Sequence, residues 1–218
     1  MLPINEIFET IQGEACKAGT PSVFVRLQGC PVRCPWCDTK HTWFVDSERR
    51  VSIADVMIKT EDTNTWAMMS PEDVLLAVQA FSARHVVITG GEPALYDLRP
   101  LTTLLVGSGF SVQLETSGTQ AIQANPYTWV TVSPKVGMPG RRSVLRETLL
   151  RANEIKHPVG KPADIQNLLS LPIEYALKPE IWLQPLSQSR KATELCIREA
   201  TVRNWRVSIQ MQKYIGVR

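Results

Sequence analysis

Cys30, Cys34 and Cys37 fall within eight residues, at the spacing C-x3-C-x2-C, inside the stretch from Gln28 to Thr39. Thiols this close in sequence either chelate a metal or pair as a disulfide, and the redox compartment decides which. Cys16 and Cys196 lie well outside the loop. A structural zinc site asks for four protein ligands, and His41 can complete a C-x3-C-x2-C-x3-H knuckle. A four-iron cluster is usually held by four cysteines, so one held by three keeps an iron open for a substrate to enter.

Other residues along the chain can do chemistry, and each also has a plainer reading. Arg26 interrupts an apolar run just before the cysteine loop; it is either neutralised by a nearby acid or ready for a carboxylate ligand. Gly90-Gly91-Glu92-Pro93 is a turn signal, yet paired glycines also let backbone groups approach a ligand closely. Ser133-Pro134-Lys135 is a surface turn with a solvated lysine, or a hydroxyl and an ammonium aimed at a cofactor. Trp36 is core, or lies beside an adenine. Asp38-Thr39 is a helix cap, or supplies oxygen donors to a hard cation. Trp43 and Trp129 read as core.

These residues need a frame, and the remaining pattern supplies one. Ser22–Leu27, His85–Thr89, Ser111–Glu115, Trp129–Val132, Ile181–Leu183 and Arg206–Gln210 read as strands. Helical signals follow from Ser70-Pro71-Glu72-Asp73 to about Phe81, over Leu98–Val106, over 143–152, over Asp164–Leu169 and over Ser189–Trp205. This alternation predicts an α/β fold with a parallel sheet and helical crossovers. Thr89, Glu115, Ser133, Lys135 and Gln184 sit at or just after the C-terminal ends of apolar strands, the face on which a βα-barrel builds its active site. The chain's 218 residues fall short of the roughly 250 of an eight-fold barrel. The expected architecture is therefore an open, abbreviated, partial (β/α)6 TIM-like barrel. One domain over 1–218 is expected, with a polar, variable insertion or lid at about 46–69, open to local disorder.

A formal net charge of +3 does not demand nucleic acid as a partner. No run approaches the roughly 18 apolar residues of a membrane span, and the first residues lack the basic and apolar regions of a signal peptide. An odd cysteine count without export fits a reducing cytoplasm. Neither a Ser-His-Asp order nor an H-E-x-x-H motif supports a hydrolase.

The cysteine loop, with Trp36 before its last thiol, resembles that of the radical S-adenosylmethionine enzymes. In that superfamily the open iron of a [4Fe–4S] cluster is chelated by the methionine end of S-adenosylmethionine, and one electron releases a 5′-deoxyadenosyl radical. The resemblance narrows with Gln12-Gly13-Glu14, Arg26, Trp36-Cys37-Asp38-Thr39, Thr89-Gly90-Gly91-Glu92-Pro93, Glu115-Thr116-Ser117-Gly118, Ser133-Pro134-Lys135, Asn153-Glu154-Ile155-Lys156 and Leu183-Gln184-Pro185. Together they resemble the 7-carboxy-7-deazaguanine synthases, from residue 4 nearly to the end.

That resemblance implies a Mg²⁺-dependent ring contraction of 6-carboxytetrahydropterin to 7-carboxy-7-deazaguanine with loss of ammonia, on the route to queuosine. It implies Cys30, Cys34 and Cys37 on the cluster, and Trp36, Cys37, Asp38, Gly91, Ser133, Pro134 and Lys135 around S-adenosylmethionine. Thr39 would ligate Mg²⁺, and Ile11, Gln12, Gly13, Glu14, Arg26, Thr89 and Glu115 would grip the pterin. No catalytic residue beyond the cofactor radical is implied. The implied partners are the pterin, an electron donor such as flavodoxin and a second copy of the chain as a homodimer, with no nucleic acid and no membrane. Gln210-Met211-Gln212-Lys213 has no histidine where the family pattern has one, so no C-terminal substrate contact is assigned, and 46–69 receives no site. The rival readings are a glycyl-radical-enzyme activase and, from another class, a zinc-binding interaction module.

Overall fold

In the computed structural model, which describes residues 1–174 and 179–217, the cysteine loop hangs from the end of β2 (Pro21–Leu27). The alternating apolar side chains of β2 pair it in parallel with β4 (His85–Gly90), Val23 facing Val86 and Leu27 facing Gly90. From β4 the parallel pairing continues through β5 (Ser111–Thr116), β6 (Trp129–Val132), β7 (Glu154–Val159), β8 (Glu180–Pro185) and the two-residue β9 (Arg206–Val207). Two antiparallel strands extend the other side: β1 (Leu2–Ile11) on β2, and β3 (Ala67–Met69) on β1. Among the described residues the sheet runs β3-β1-β2-β4-β5-β6-β7-β8-β9 and stays open.

The expected partial barrel is therefore present, with its six long parallel strands β2, β4, β5, β6, β7 and β8. The antiparallel β1 and β3 depart from an all-parallel sheet. A nine-residue connection, 12–20, whose helical part is the single 3-10 turn Ala15–Lys17, joins β1 to β2 and is too short for a parallel crossover. The last strand stops at Val207 rather than Gln210.

Helices cover the outer face. In α2 (Pro71–Gln79) Ser70 caps the first turn and Asp73 returns the bond, the full capping box that the sequence signal announces. The others on this face are α1 (Ile53–Met57), α3 (Arg99–Gly107), α4 (Arg146–Arg151), α5 (Pro162–Leu169) and α6 (Arg190–Arg203), while α7 (Met211–Ile215) borders the inner face through Gln212 and Lys213. Two apolar clusters lie beneath them: one includes Leu27, Ile88, Leu101, Leu105 and Leu114, the other Val132, Ile155, Leu168, Leu183 and Cys196. None of the described helices is long and apolar enough to cross a membrane.

Residues 46–69 are not a loose lid. They contain α1 and β3, and Val56, Ala67 and Met69 join the first apolar cluster. The polar part is pinned as well: Lys59 Nζ donates to the carbonyls of Asn5, Thr63 and Thr65 at 2.8–3.2 Å, and the Asn5 amide donates to the same two threonine carbonyls.

The inner face of the sheet is polar. Segment 12–20 crosses it, the Gln12 amide donating to Gln113 Oε1 (3.2 Å), Ala15 N–H to Ser208 Oγ (2.9 Å) and Cys16 N–H to Glu154 Oε2 (3.1 Å). These bonds satisfy groups that burial would otherwise penalise, and they floor the barrel.

Candidate active site

Two adjoining cavities open on the inner face. The first, about 250 Å³, is lined by Cys30, Cys34, Cys37, Trp36, Asp38, Gly91, Ser133 and Lys135. The second, about 380 Å³, is lined by Ile11, Gln12, Gly13, Arg26, Thr39 and Phe24. Glu14, Thr89, Glu115 and Lys156 line both. Every site residue drawn from the sequence therefore reaches one cavity or the other, except Pro134, which is buried and lines neither. That proline shapes the turn between Ser133, whose N–H donates to Thr116 O at 2.7 Å, and Lys135, whose ammonium donates to the Ser133 carbonyl at 3.0 Å and to its hydroxyl.

The cysteine loop is held against the strand ends by backbone. Gly91 N–H donates to Leu27 O (2.9 Å), Glu92 N–H to Gly29 O (2.8 Å) and Gly29 N–H to Thr42 O (2.7 Å). A Cβ on Gly91 would stand 2.1 Å from Gly29 O, and one on Gly140 would stand 1.9 Å from Pro31 O. These glycines are therefore required by the loop's own backbone before any ligand arrives. Glu92, which the sequence reading left out of the site, is buried and acts from beneath. Its carboxylate accepts from Thr116 Oγ1 (2.6 Å), Ser117 N–H (2.8 Å) and the Ser117 hydroxyl, fixing the turn after β5.

Burial pushes the Cys34 thiol up to about 11 and raises Cys30 as well. A metal must displace those protons, which thiophilic iron does readily. No fourth protein ligand comes from His41. Its ring nitrogen lies within 4.8 Å of carboxylate oxygens of Glu6 and Asp62, and the charges acting on it are Asp62, Arg26, Glu6 and Lys59. The zinc knuckle thus lacks its histidine, and the donor set that remains is three thiols beside a cavity. Thr39 lines the second cavity, and its Oγ1 sits 3.6 Å from Cys37 Sγ.

The sequence left two fates open for Arg26, and the structure realises the neutralised one: Nε donates to Glu6 Oε1 at 2.5 Å. The guanidinium still borders the second cavity. Between the cavities lies a buried triad. Lys156 Nζ donates to Glu14 Oε2 (2.6 Å) and Glu115 Oε2 (2.8 Å). Burial alone would raise Glu14, but Lys156 together with the amides of Gln210 and Gln212 brings it down to about 2. Burial raises Glu115 and outweighs the same lysine there. Burial would lower Lys156, yet the two carboxylates hold it above the usual lysine range.

Sequence reasoning missed Lys156 as a site residue, along with three residues near the C-terminus. Gln210 and Gln212 each donate to Glu14 Oε1 at 3.0 Å, and Lys213 pairs with Asp38 at 2.8 Å. Met211 N–H donates to Gly13 O at 3.0 Å. A C-terminal wall is therefore present without the histidine. Trp43, read as core, borders the first cavity.

Comparisons with known proteins show the family to which the chain belongs. The model of the radical SAM superfamily matches residues 24–148. The 7-carboxy-7-deazaguanine synthase of Escherichia coli K12 is 52% identical over 99% of this chain and 98% of its own length. That of Buchnera aphidicola subsp. Schizaphis graminum is 43% identical over 99% of each chain. The crystal structure of QueE from Escherichia coli superposes with a TM-score of 0.93 at 52% identity, covering 96% of this chain and 94% of that one.

Proposed function

Since the chain belongs to the radical SAM superfamily and, within it, to the 7-carboxy-7-deazaguanine synthases, we propose that it contracts the ring of 6-carboxytetrahydropterin to 7-carboxy-7-deazaguanine with loss of ammonia. The observation that carries this reading is the junction of the two cavities, a thiol-lined one and one lined by amide, carboxylate and guanidinium groups, across Glu14, Thr89 and Glu115. Superfamily membership brings a [4Fe–4S] cluster and S-adenosylmethionine, which together supply a 5′-deoxyadenosyl radical on one-electron reduction.

The chain's own residues do the rest. Cys30, Cys34 and Cys37 would hold the cluster through their thiolates. Gly91 offers backbone to the methionine end, Ser133 and Lys135 offer a hydroxyl and an ammonium to the ribose or the carboxylate, and Trp36 and Asp38 complete that wall. The pterin's N–H edge meets Glu14, Gln12 and Glu115. Its carboxylate meets Arg26, and Thr39 would offer its hydroxyl to a Mg²⁺ ion, which would supply further positive charge to that carboxylate. Both cavities share a floor closed by segment 12–20, which shields the pocket from bulk water.

Two partners follow. Reduction needs a one-electron donor such as a flavodoxin, and the exposed Arg33, Arg141 and Arg142 beside the cysteine loop suit an acidic one. The assembly is a homodimer working in the cytoplasm, without nucleic acid.

The test is an anaerobic assay of the reconstituted, dithionite-reduced protein with S-adenosylmethionine, Mg²⁺ and 6-carboxytetrahydropterin, read by mass spectrometry. Formation of 7-carboxy-7-deazaguanine is expected, with about four irons per chain. A colourless protein with one zinc and no product would sink the proposal.

A further inference from the structure

Lys156 lies in the middle of β7, 7% exposed, with one carboxylate on each side of its ammonium. Strand alternation puts Glu154 and Lys156 on the inner face while Ile155 enters the apolar cluster behind. A lysine so placed has lost nearly all its water, and only the two carboxylates compensate it. Its contacts are specific. It takes Oε2 of Glu14 and Oε2 of Glu115, while Glu14 Oε1 receives Gln210 and Gln212 and Glu115 Oε1 receives the Gln113 amide at 3.2 Å. Each of the four carboxylate oxygens thereby has a donor, and both acids border the two cavities.

We propose that Lys156 is a positioning residue for the substrate: its ammonium sets the spacing and orientation of Glu14 and Glu115, so that both carboxylates stand preformed for the N–H edge of the pterin. The inference rests on the reading of the second cavity as the pterin site. It follows from the cost of the alternative. Without the cation, two buried carboxylates would face each other, and one would turn away or take up a proton. Either change removes an acceptor from the substrate's donors. The charged groups facing this pair are Lys156, Glu154 from the same strand and Lys135 from the turn after β6. Glu14 stays ionised through neutral pH with the lysine present, whereas Glu115 already titrates above the usual carboxylate range.

The test compares Lys156→Met, Lys156→Arg and the double variant Lys156→Met with Glu115→Gln. Each is used as the cluster-loaded, S-adenosylmethionine-bound protein, kept unreduced. Binding of 6-carboxytetrahydropterin is measured by anaerobic calorimetry from pH 6 to 8.5. The expected result for Lys156→Met is a dissociation constant raised about thirtyfold or more, in keeping with the loss of charged hydrogen bonds, together with a new dependence on pH. Lys156→Arg keeps the parent's flat profile and stays within about fivefold of its affinity. The double variant, which removes the cation and one anion together, binds weakly but with a flat profile, and it serves where Lys156→Met alone does not fold. The inference is overturned if Lys156→Met binds like the parent. It is equally overturned if Met and Arg variants lose affinity alike with no change in pH profile, or if the double variant keeps the steep one. A parent protein that never binds the pterin overturns the reading of the site itself, and does so before any variant is made.

Discussion

The two faces of one sheet obey opposite rules here. On the outer face Val112, Leu114, Val130, Val132 and Ile155 are buried among apolar side chains. One residue along each strand, on the inner face, stand Gln113, Glu115, Thr131, Glu154 and Lys156, joined by hydrogen bonds: Gln113 to Thr131 at 2.8 Å, Thr131 to Glu154 at 2.7 Å, Lys156 to Glu115 at 2.8 Å. Gln113, Thr131, Glu154 and Lys156 are as buried as their apolar neighbours, so exposure alone does not explain the alternation. The outer face gains by removing carbon from water. The inner face gains little net stability from its polar groups, because each bond mainly repays desolvation. What the inner face obtains is fixed direction, which apolar packing cannot provide and which a polar substrate needs.

Neighbouring residues make the sharpest break of that comparison. Leu114→Ala should cost roughly 3 kcal/mol, lowering Tm by about 6–12 °C, because a fully buried leucine leaves a cavity. Affinity for the pterin should survive in the protein that remains folded. Glu115→Gln, one residue on, should do the reverse, weakening pterin binding by about 10- to 100-fold for the loss of charge-assisted bonds while Tm moves little. Thermal unfolding and anaerobic binding on both variants decide the matter. If both properties fell together in both proteins, the division between the faces would be wrong.

The same contrast governs what could be read beforehand. The helix start at Ser70-Pro71-Glu72-Asp73 was legible because its capping box closes within four residues. The cysteine triad was legible because its ligands share one loop, and the strand-end polar residues because a barrel gathers strand ends on one side. Lys156 was quoted within a motif yet received no role, since its partners lie 142 and 41 residues away and only the fold brings them together. The alternation Glu154-Ile155-Lys156 was the available signal: two charges on one side of a strand that is otherwise buried. Segment 46–69 misled by composition. Its polar residues look loose because the hub that ties Lys59, Thr63 and Thr65 to the sheet is Asn5, more than fifty residues upstream. β1 is missing from the strands that the sequence pattern yields, and its antiparallel pairing follows from the short 12–20 connection rather than from its own residues.

Acid titration sharpens the comparison at intermediate size. Glu14 is depressed from 4.5 to about 2, with burial opposed and outweighed by Lys156 and the two glutamines. A depressed carboxylate adds stability that is complete above its unfolded value and is lost as pH falls through the folded one. Denaturant unfolding of the metal-free chain should therefore show stability declining between pH 4.5 and 2. Glu14's share of that decline should be missing in Glu14→Gln. Glu115 acts with the opposite sign, since a raised carboxylate costs stability as pH rises past its unfolded value. Parallel curves for parent and Glu14→Gln would show that the triad orders the site without contributing to stability.

The smallest effect belongs to the rim, where inner and outer rules meet. Lys213 pairs with Asp38 at 2.8 Å, but the two side chains are 33% and 61% exposed. Water screens such a pair and the lysine loses rotamer freedom in making it, so its worth is about 0.2–1 kcal/mol. Asp38 and Lys213 border both cavities, and Asp38 belongs to the proposed S-adenosylmethionine wall, so the loss should register in that ligand's affinity rather than in stability. Lys213→Ala should weaken that affinity by about twofold in 0.1 M salt, and the difference should vanish near 1 M, where the screening length falls to about 3 Å. A loss of tenfold or more that resisted salt would place Lys213 with Lys156, as a cation whose direction matters, and would move the boundary of the ordered inner face out to the C-terminal wall.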